Sequence, residues 1–192
     1  MAQTRKRGSK INIDRFPLDN NNKKWSKSKT YKNWVGDLKE TRQTRRSPKR
    51  DLCSGKNSIC TGNLGIPRKH MPQFTLRRAP FSQNPLKKFR KFIKAKYGIK
   101  SKETTRRAVD LKPSQSEISK VRVEGLIEDN LVNSMEVPIV VSNNDYVIDG
   151  HHRWAVFRLK APKKPIKAVV IDAPVRDVLG MAVDWGASTQ SF

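Results

Sequence analysis

The chain changes from a β-rich pattern to a helical one at Asp149-Gly150-His151-His152-Arg153. Before this point, residues 138–141 and 146–148 predict two short strands, and the Ser-Asn-Asn-Asp run between them supplies the residues of a hairpin turn. After it, residues 154–159 predict a helix that ends before Pro162. The pattern is therefore a strand, a glycine, cationic and imidazole side chains, and then a helix.

This order of elements is typical of a phosphate-binding site. The free N–H groups and the dipole at a helix N-terminus attract an anion, and Gly150 allows the backbone to approach it closely. Arg153 adds a planar guanidinium that can bind the same anion with two donors. The residues alone thus predict an anion site at the start of this helix.

The arrangement resembles the signature of the ParB/sulfiredoxin superfamily, in particular its phage-encoded ParB-like proteins and its free serine kinases. The resemblance covers residues 106–186 and implies a nucleotide, which is CTP in ParB and ATP or ADP in sulfiredoxin and the kinases. A sulfiredoxin reaction is not expected, because His151 stands where that subfamily has its reactive cysteine. The implied phosphate-binding residues are Gln115, Ser116, Gly150, His151, His152 and Arg153.

Two carboxylates are the candidate catalytic residues. By analogy with the serine kinases, Glu117 would be the base that activates a substrate hydroxyl; alternatively, it caps the next helix. Asp149 could hold Mg²⁺ together with nucleotide phosphates; alternatively, it caps a turn or a helix. One of the two histidines would donate to phosphate while the other caps or packs. We expect no metal site of the protein's own, and a nuclease is the less favoured enzyme because no compact acidic cluster is visible.

The charge is distributed very unevenly. The net charge is +24, and residues 1–100 hold 28 Lys and Arg against 5 Asp and Glu, whereas residues 101–192 hold 13 against 12. Such an asymmetry predicts an appended nucleic-acid-binding region. The predicted organisation is a basic, largely irregular arm at 1–70, a basic amphipathic segment at 71–105, an α+β domain of the ParB/sulfiredoxin type at 106–186 and a tail at 187–192.

The arm contains candidate nucleic-acid contacts of two kinds. Its basic run contributes Arg45, Arg46, Lys49 and Arg50 as phosphate contacts. Trp25 and Trp34 interrupt the cations and could stack on unpaired bases. The alternative is that these two rings anchor the arm to another protein or to the chain's own domain.

Residues 84–97 predict a basic amphipathic helix, with Asn84 as its cap and Gly98 as its stop. Its exposed face would contact phosphates through Lys87, Lys88 and Lys91. The alternative is that its apolar stripe packs on the domain and its lysines are only solvated, and the two alternatives are compatible.

The remaining elements of the domain are a strand at 108–111, a helix across 117–133, a strand at 166–171 and a last helix from near Pro174. Cys53 and Cys60 are separated by six residues, and we expect them to be reduced unless the protein is exported or held in a particle. No run reaches the roughly 18 apolar residues of a membrane span, so the expected location is the host cytoplasm or a virion.

Two function classes remain open at this stage. The first is a nucleotide-dependent phosphotransferase or hydrolase with a nucleic-acid-binding arm. The second is a non-enzymatic virion or DNA-associated protein, part of a larger assembly such as a phage particle, that uses the ParB-like domain as a scaffold.

Overall fold

A computed structural model describes residues 23–40, 50–74, 84–128 and 137–187. The helices in these ranges are α1 (Lys29–Glu40), α2 (Pro85–Tyr97), α3 (Lys120–Glu128), α4 (His151–Lys160) and α5 (Val175–Asp184). The strands are β1 (Ser101–Arg107), β2 (Lys112–Pro113), β3 (Ile139–Ser142), β4 (Tyr146–Asp149) and β5 (Pro165–Ile171). The chain is therefore a mixed α+β protein, as its sequence predicts.

The five strands form one mixed sheet in the order β1-β5-β3-β4-β2. The pairs β1–β5 and β3–β4 are antiparallel, while β3–β5 and β2–β4 are parallel. The predicted hairpin is confirmed as β3–β4. Its turn also contacts the N-terminus of α5, where Asn144 Oδ1 accepts a hydrogen bond from Val175 N at 3.0 Å. The strands expected at 138–141, 146–148 and 166–171 are confirmed.

Helices cover both faces of the sheet. Successive residues of a strand point to opposite faces, so Val140 of β3 packs with α5 while its neighbours Ile139 and Val141 pack with α3 and α4. Each sheet face carries an extensive apolar cluster, which we call the first core (with α5) and the second core (with α3 and α4). Because both faces are covered, the sequences of β3, β4 and β5 are nearly continuous apolar runs.

Residues 23–40 of the predicted arm cover part of one sheet face, so the expectation of a largely irregular arm is wrong for this stretch. Trp25 and Trp34 are 3% and 5% exposed and pack in the same cluster as α5. Tyr31, Trp34 and Leu38 recur at helical spacing on α1 and are all buried. The overall basic composition concealed this local period, which is sufficient to dock a helix.

Residues 50–63 form a loop that packs on the opposite face of the sheet, with the cluster that includes α3 and α4. Cys53 and Cys60 form a disulfide, so the expectation of reduced cysteines is wrong for this structure. Cys60 is buried beside Ile118, and Asp51 Oδ1 accepts hydrogen bonds from Cys53 N (2.9 Å) and Ile118 N (2.8 Å). The loop is thereby fixed to the chain that enters α3.

Helix α2 confirms the prediction at 84–97. Asn84 Oδ1 accepts from Leu86 N and Lys87 N, and Gly98 closes the helix in the left-handed conformation at φ +70°. The buried stripe of α2 packs into the first core, with Phe89 stacked on Phe74 at a ring separation of 4.4 Å. The prediction that this stripe packs on the domain is therefore confirmed.

Two boundaries in the domain differ from those predicted. Residues Ala108–Asp110 form a 3-10 turn rather than a strand, and the strand lies just before them as β1. Strand β1 is at the edge of the sheet and is rich in exposed charged side chains, so it lacks the apolar pattern on which prediction depends. Helix α3 spans 120–128, so its predicted start at 117 is three residues too early, and residues 129–133 of the predicted range lie outside the described residues.

None of the helices in the described ranges is long and apolar enough to cross a membrane.

Candidate functional site

The predicted phosphate site lies where β4 passes into α4. Gly150 has a φ of +92°, and a Cβ at this position would lie 2.7 Å from both Arg153 Nη2 and Ile139 Cγ2. Only glycine fits this junction without displacing its neighbours. The sequence interpretation of Gly150 as a residue of close approach agrees with this geometry, although the groups that approach it here belong to the protein itself.

The His151 imidazole faces the interior. Its Nε2 lies 3.2 Å from the Ser114 hydroxyl oxygen, and the side chain is buried. Burial lowers the pKa of His151 to about 3, with the positive charges of His152 and Arg153 acting in the same direction and a hydrogen bond with the Val147 backbone opposing them. The ring is therefore neutral at physiological pH, and this structure does not present it to a phosphate.

Ser114 and His151 resemble a nucleophile and base pair but are not arranged as one. The Ser114 hydroxyl donates to the Val147 carbonyl at 2.6 Å, and the residue has no exposed surface. A nucleophile needs access to substrate and a base positioned to take its proton. The pair instead holds β4 and the start of α4 against the chain that follows β2.

His152 and Arg153 also make contacts within the protein. His152 Nε2 accepts a hydrogen bond from Ser119 N at 3.3 Å, immediately before α3. Arg153 Nη2 donates to the Pro138 carbonyl at 3.2 Å, at the start of β3. These contacts fix α4 to its neighbours, and phosphate binding by either residue remains a prediction.

The two candidate catalytic carboxylates hold a single piece of chain, the covering segment (residues 66–74). Asp149 Oδ2 accepts from Phe74 N at 3.0 Å, and Glu117 Oε1 accepts from Arg68 N at 3.3 Å. Both residues therefore accept long-range backbone hydrogen bonds, whereas the sequence alternatives were a cap of the helix after Glu117 and a turn or helix cap by Asp149.

The covering segment also pairs with Gln115 and Ser116, two of the implied phosphate-binding residues. Ile66 forms a parallel bridge with Gln115, and Ser116 N donates to the Ile66 carbonyl at 2.8 Å. The Gln115 side chain is buried and donates to the Glu117 carbonyl. The structure thus places Ser114 beside His151 and Ser119 beside His152, on either side of Gln115–Glu117 in the chain, while the covering segment binds both carboxylates.

The described residues contain no group of three or more His, Cys, Asp or Glu side chains that could hold a metal ion. A nucleotide-bound Mg²⁺ needs only one or two protein carboxylates. Asp149 is the carboxylate at the junction, and one of its two oxygens, Oδ2, accepts the hydrogen bond from Phe74 N.

A second candidate site lies between α2 and the start of β1, and we call it the basic groove. It has a volume of about 510 Å³ and is lined by Lys87, Arg90, Lys91, Lys94, Ile99, Lys100 and Ser101. Lys87, Lys91 and Lys94 are exposed on one side of α2. Lys87 and Lys91 were predicted as phosphate contacts from the sequence, and the groove places them together.

Arg90 forms the fixed wall of the basic groove. Its Nε donates to Ser101 Oγ at 2.9 Å and its Nη1 to Glu103 Oε1 at 2.5 Å, so the guanidinium joins α2 to β1. Sequence analysis did not find Lys100 as a groove residue. The signal that could have indicated Lys100 is Gly98, whose left-handed conformation turns the chain sharply back beside the helix.

The other predicted nucleic-acid contacts are dispersed. Lys88 is exposed on α2 outside the groove, and Arg50 is exposed beside the disulfide loop. Arg45, Arg46 and Lys49 lie outside the described residues. Trp25 and Trp34 are buried, and Trp34 Nε1 donates to the His70 carbonyl at 2.9 Å, so neither ring is available to stack on a base. For these two rings the alternative, anchorage to the chain's own domain, is the one that the structure shows.

Comparison of the sequence with models of protein families and with curated proteins finds no match, and comparison with solved structures finds none either.

Proposed function

We propose that this protein binds nucleic acid through the basic groove and that its α+β domain is a scaffold for that face. The observation that carries the proposal is the convergence of Lys87, Lys91, Lys94 and Lys100 on one concave surface. Residues 84–107 contain ten Lys and Arg against a single Glu. Clustered cations of this kind form the footprint of a phosphate backbone.

The state of the predicted catalytic residues supports a scaffold over an enzyme. Glu117 and Asp149 accept backbone hydrogen bonds from the covering segment, and His151 is buried and neutral. A general base needs to reach a substrate proton at about 3 Å. One oxygen of each carboxylate accepts a backbone N–H of the covering segment instead, at 3.0 Å for Asp149 and 3.3 Å for Glu117.

The ParB/sulfiredoxin assignment is part of the same proposal. From β2 onward the elements follow in the order strand, helix, strand, strand, helix, strand, helix, which is the order that the sequence pattern predicts. Gly150 at the β4–α4 junction supports it as well. In this proposal the setting is a phage-type nucleoprotein assembly in which the basic face neutralises DNA.

Fluorescence anisotropy of a short labelled duplex, measured over a salt series with the full chain, tests the proposal. The groove variant carries four substitutions: Lys87→Gln, Lys91→Gln, Lys94→Gln and Lys100→Gln. The control variant removes the same charge from exposed lysines elsewhere: Lys56→Gln, Lys160→Gln, Lys163→Gln and Lys167→Gln.

The groove variant should bind more weakly than the control variant, and its dependence of log K on log salt should be shallower by about 3.6, which is four contacts at about 0.9 each. Equal losses in the two variants would mean that overall charge, and not the groove, governs binding. Circular dichroism of both variants checks that the fold is retained.

A nucleotide site at the β4–α4 junction is the second candidate function. It is favoured by one observation, the contacts of Ser114 with His151 and of Ser119 with His152, which bring both ends of the 115–117 stretch to the N-terminus of α4. In this candidate, ATP, ADP or CTP with Mg²⁺ would bind there, next to the carboxylates that hold the covering segment.

A thermal-shift panel of these nucleotides tests the second candidate. A ligand present at a hundred times its dissociation constant stabilises a protein by about 2.7 kcal/mol, a shift of several degrees. If a shift appears, Glu117→Gln should keep it and lose any turnover. The absence of a shift with every nucleotide would remove this candidate and leave the basic groove untouched.

A further inference from the structure

The aromatic side chains of the described residues are all buried or partly buried. Trp25, Trp34 and Trp154 are buried, and Trp185 is half-buried beside Phe89. In the ranges that the structure describes, no Phe, Tyr or Trp is exposed. Proteins that hold single strands combine a cationic groove with aromatic faces on which bases stack. The cations are present on this face, and the stacking faces are not.

The aromatic residues nearest the groove illustrate the point. Phe92 and Tyr97 pack against each other edge to face, with ring centroids 5.7 Å apart, and the Tyr97 hydroxyl donates to Asp184 on α5. Lys96 Nζ lies 2.7 Å from the same Asp184. Both rings are partly buried and pack against the apolar cluster that includes α5, and among the described residues that line the groove Ile99 is the apolar one.

The cations of the groove follow a regular spacing. Lys87, Lys91 and Lys94 occupy positions i, i+4 and i+7 of α2, so they span about 10.5 Å along the helix axis at 1.5 Å per residue. A double helix presents a phosphate charge every 1.7 Å or so of its axis, against about 3.4 Å for one strand in the same geometry. Over this length of axis a duplex carries roughly six phosphates, distributed around the helix, and a single strand roughly three, so the duplex offers the row the higher charge density.

The described lining of the groove is poor in groups that distinguish bases. Direct readout of a base edge uses Arg or Lys on guanine, Asn or Gln on adenine, a carboxylate on cytosine, or Ser and Thr, and the described lining contains no Asn, Gln or carboxylate. Arg90 is the arginine here, and its guanidinium is bound to Ser101 and Glu103. The remaining cations are lysines on flexible stems, which act on phosphates as point charges.

From these observations we infer that the basic groove binds the phosphate backbone of double-stranded nucleic acid and does so without reading sequence. The inference rests on the proposed function and adds the class of partner. Single strands, which need stacking faces for tight binding, are the weaker ligand.

The test compares three labelled probes on the full-length protein: a mixed-sequence duplex, one of its strands alone, and a duplex of different base composition. At low salt the duplex should bind at least about tenfold more tightly than the single strand, and the two duplexes should agree within about twofold. The groove variant, Lys87→Gln with Lys91→Gln, Lys94→Gln and Lys100→Gln, should remove most of the duplex preference, and the four-lysine control variant should retain it.

The outcomes separate this inference from the function on which it rests. A single strand that binds as tightly as the duplex, with an affinity that the groove variant reduces, would overturn the inference and leave nucleic-acid binding by the groove intact. A preference above tenfold between the two duplexes would overturn the absence of sequence reading. No binding of any probe at low salt would overturn the proposed function together with the inference.

Discussion

Replacing Gly180 by alanine should undock the segment of residues 23–40 from α5. A Cβ at Gly180 would lie 2.3 Å from Trp25 Cε3 and 2.4 Å from Trp25 Cδ2, whereas ordinary contact begins at 3.4 Å. The indole would have to retreat by about 1.1 Å, and it cannot retreat freely because Tyr31 packs on its other side with ring centroids 4.7 Å apart.

The expected magnitude follows from expulsion of the ring. Loss of a buried tryptophan from a core costs about 3–5 kcal/mol, and Trp25 is 3% exposed. Alanine is preferred over glycine inside a helix by about 1 kcal/mol, which offsets part of this cost. We therefore expect Gly180→Ala to lower the free energy of unfolding by about 2–4 kcal/mol, as measured by urea denaturation followed by circular dichroism.

Two other helical glycines provide matched controls. A Cβ at Gly36 of α1 or Gly125 of α3 would meet nothing within 4 Å. The same substitution at either position should stabilise the protein by up to about 1 kcal/mol. The same Gly→Ala change is thus expected to lower the free energy of unfolding at Gly180 and to raise it at Gly36 or Gly125. The difference depends only on what lies against each glycine.

A double-mutant cycle makes the reasoning refutable. In a Trp25→Ala background, Gly180→Ala should no longer destabilise and should gain up to about 1 kcal/mol, because the obstacle has been removed. If Gly180→Ala in the otherwise unchanged protein is as stable as the parent, the docking of Trp25 on α5 is wrong, and residues 23–40 are a separate arm after all.

Three further predictions concern the second core and the β4–α4 junction. The pKa of His151 in the folded protein is about 3, below its ordinary 6.5, so the unfolded chain binds this proton first as the pH falls. The contribution to the free energy of unfolding is therefore fully present above pH 6.5 and falls by up to about 5 kcal/mol toward pH 3. Urea titrations across this pH range should show the loss, and His151→Gln should flatten it. Reduction of the Cys53–Cys60 disulfide should lower the free energy of unfolding by about 2–3 kcal/mol, the entropy of a short closed loop, and reductant should have no effect on a variant carrying Cys53→Ala and Cys60→Ala. Asp51→Ala leaves two backbone donors without their acceptor and should cost about 2–4 kcal/mol in thermal or urea unfolding, whereas Asp51→Asn, which keeps an acceptor oxygen, should cost clearly less.

The elements that sequence analysis predicted correctly are those defined by near neighbours. Asn84 and Gly98 bound α2 because capping involves groups within a few residues, and the Ser-Asn-Asn-Asp turn joins β3 to β4 for the same reason. Strand β1 was missed because an edge strand need not bury either face, and its sequence has no apolar alternation.

The candidate site was predicted in part. The sequence indicated that residues 115–117 and 149–153 line one pocket, and the structure shows contact through the flanking residues Ser114 and Ser119, which meet His151 and His152. The sequence could not indicate that both carboxylates bind the covering segment, because the Asp149–Phe74 bond joins residues 75 positions apart. Capping and catalysis use the same carboxylates, and only the partner of each oxygen distinguishes the two roles.

By itself, the sequence determined the α+β class, the junction at Gly150, the amphipathic basic helix and the concentration of positive charge in the first half of the chain. These follow from periodicity, turn chemistry and composition, which depend on residues close together in the chain. The tertiary structure alone decided that Trp25 lies against Gly180, that Asp149 and Glu117 hold the covering segment, and that Lys100 joins the lysines of α2 in one groove. Each of these depends on which surfaces pack together, and packing is selected by the summed burial of distant apolar groups rather than by any local pattern.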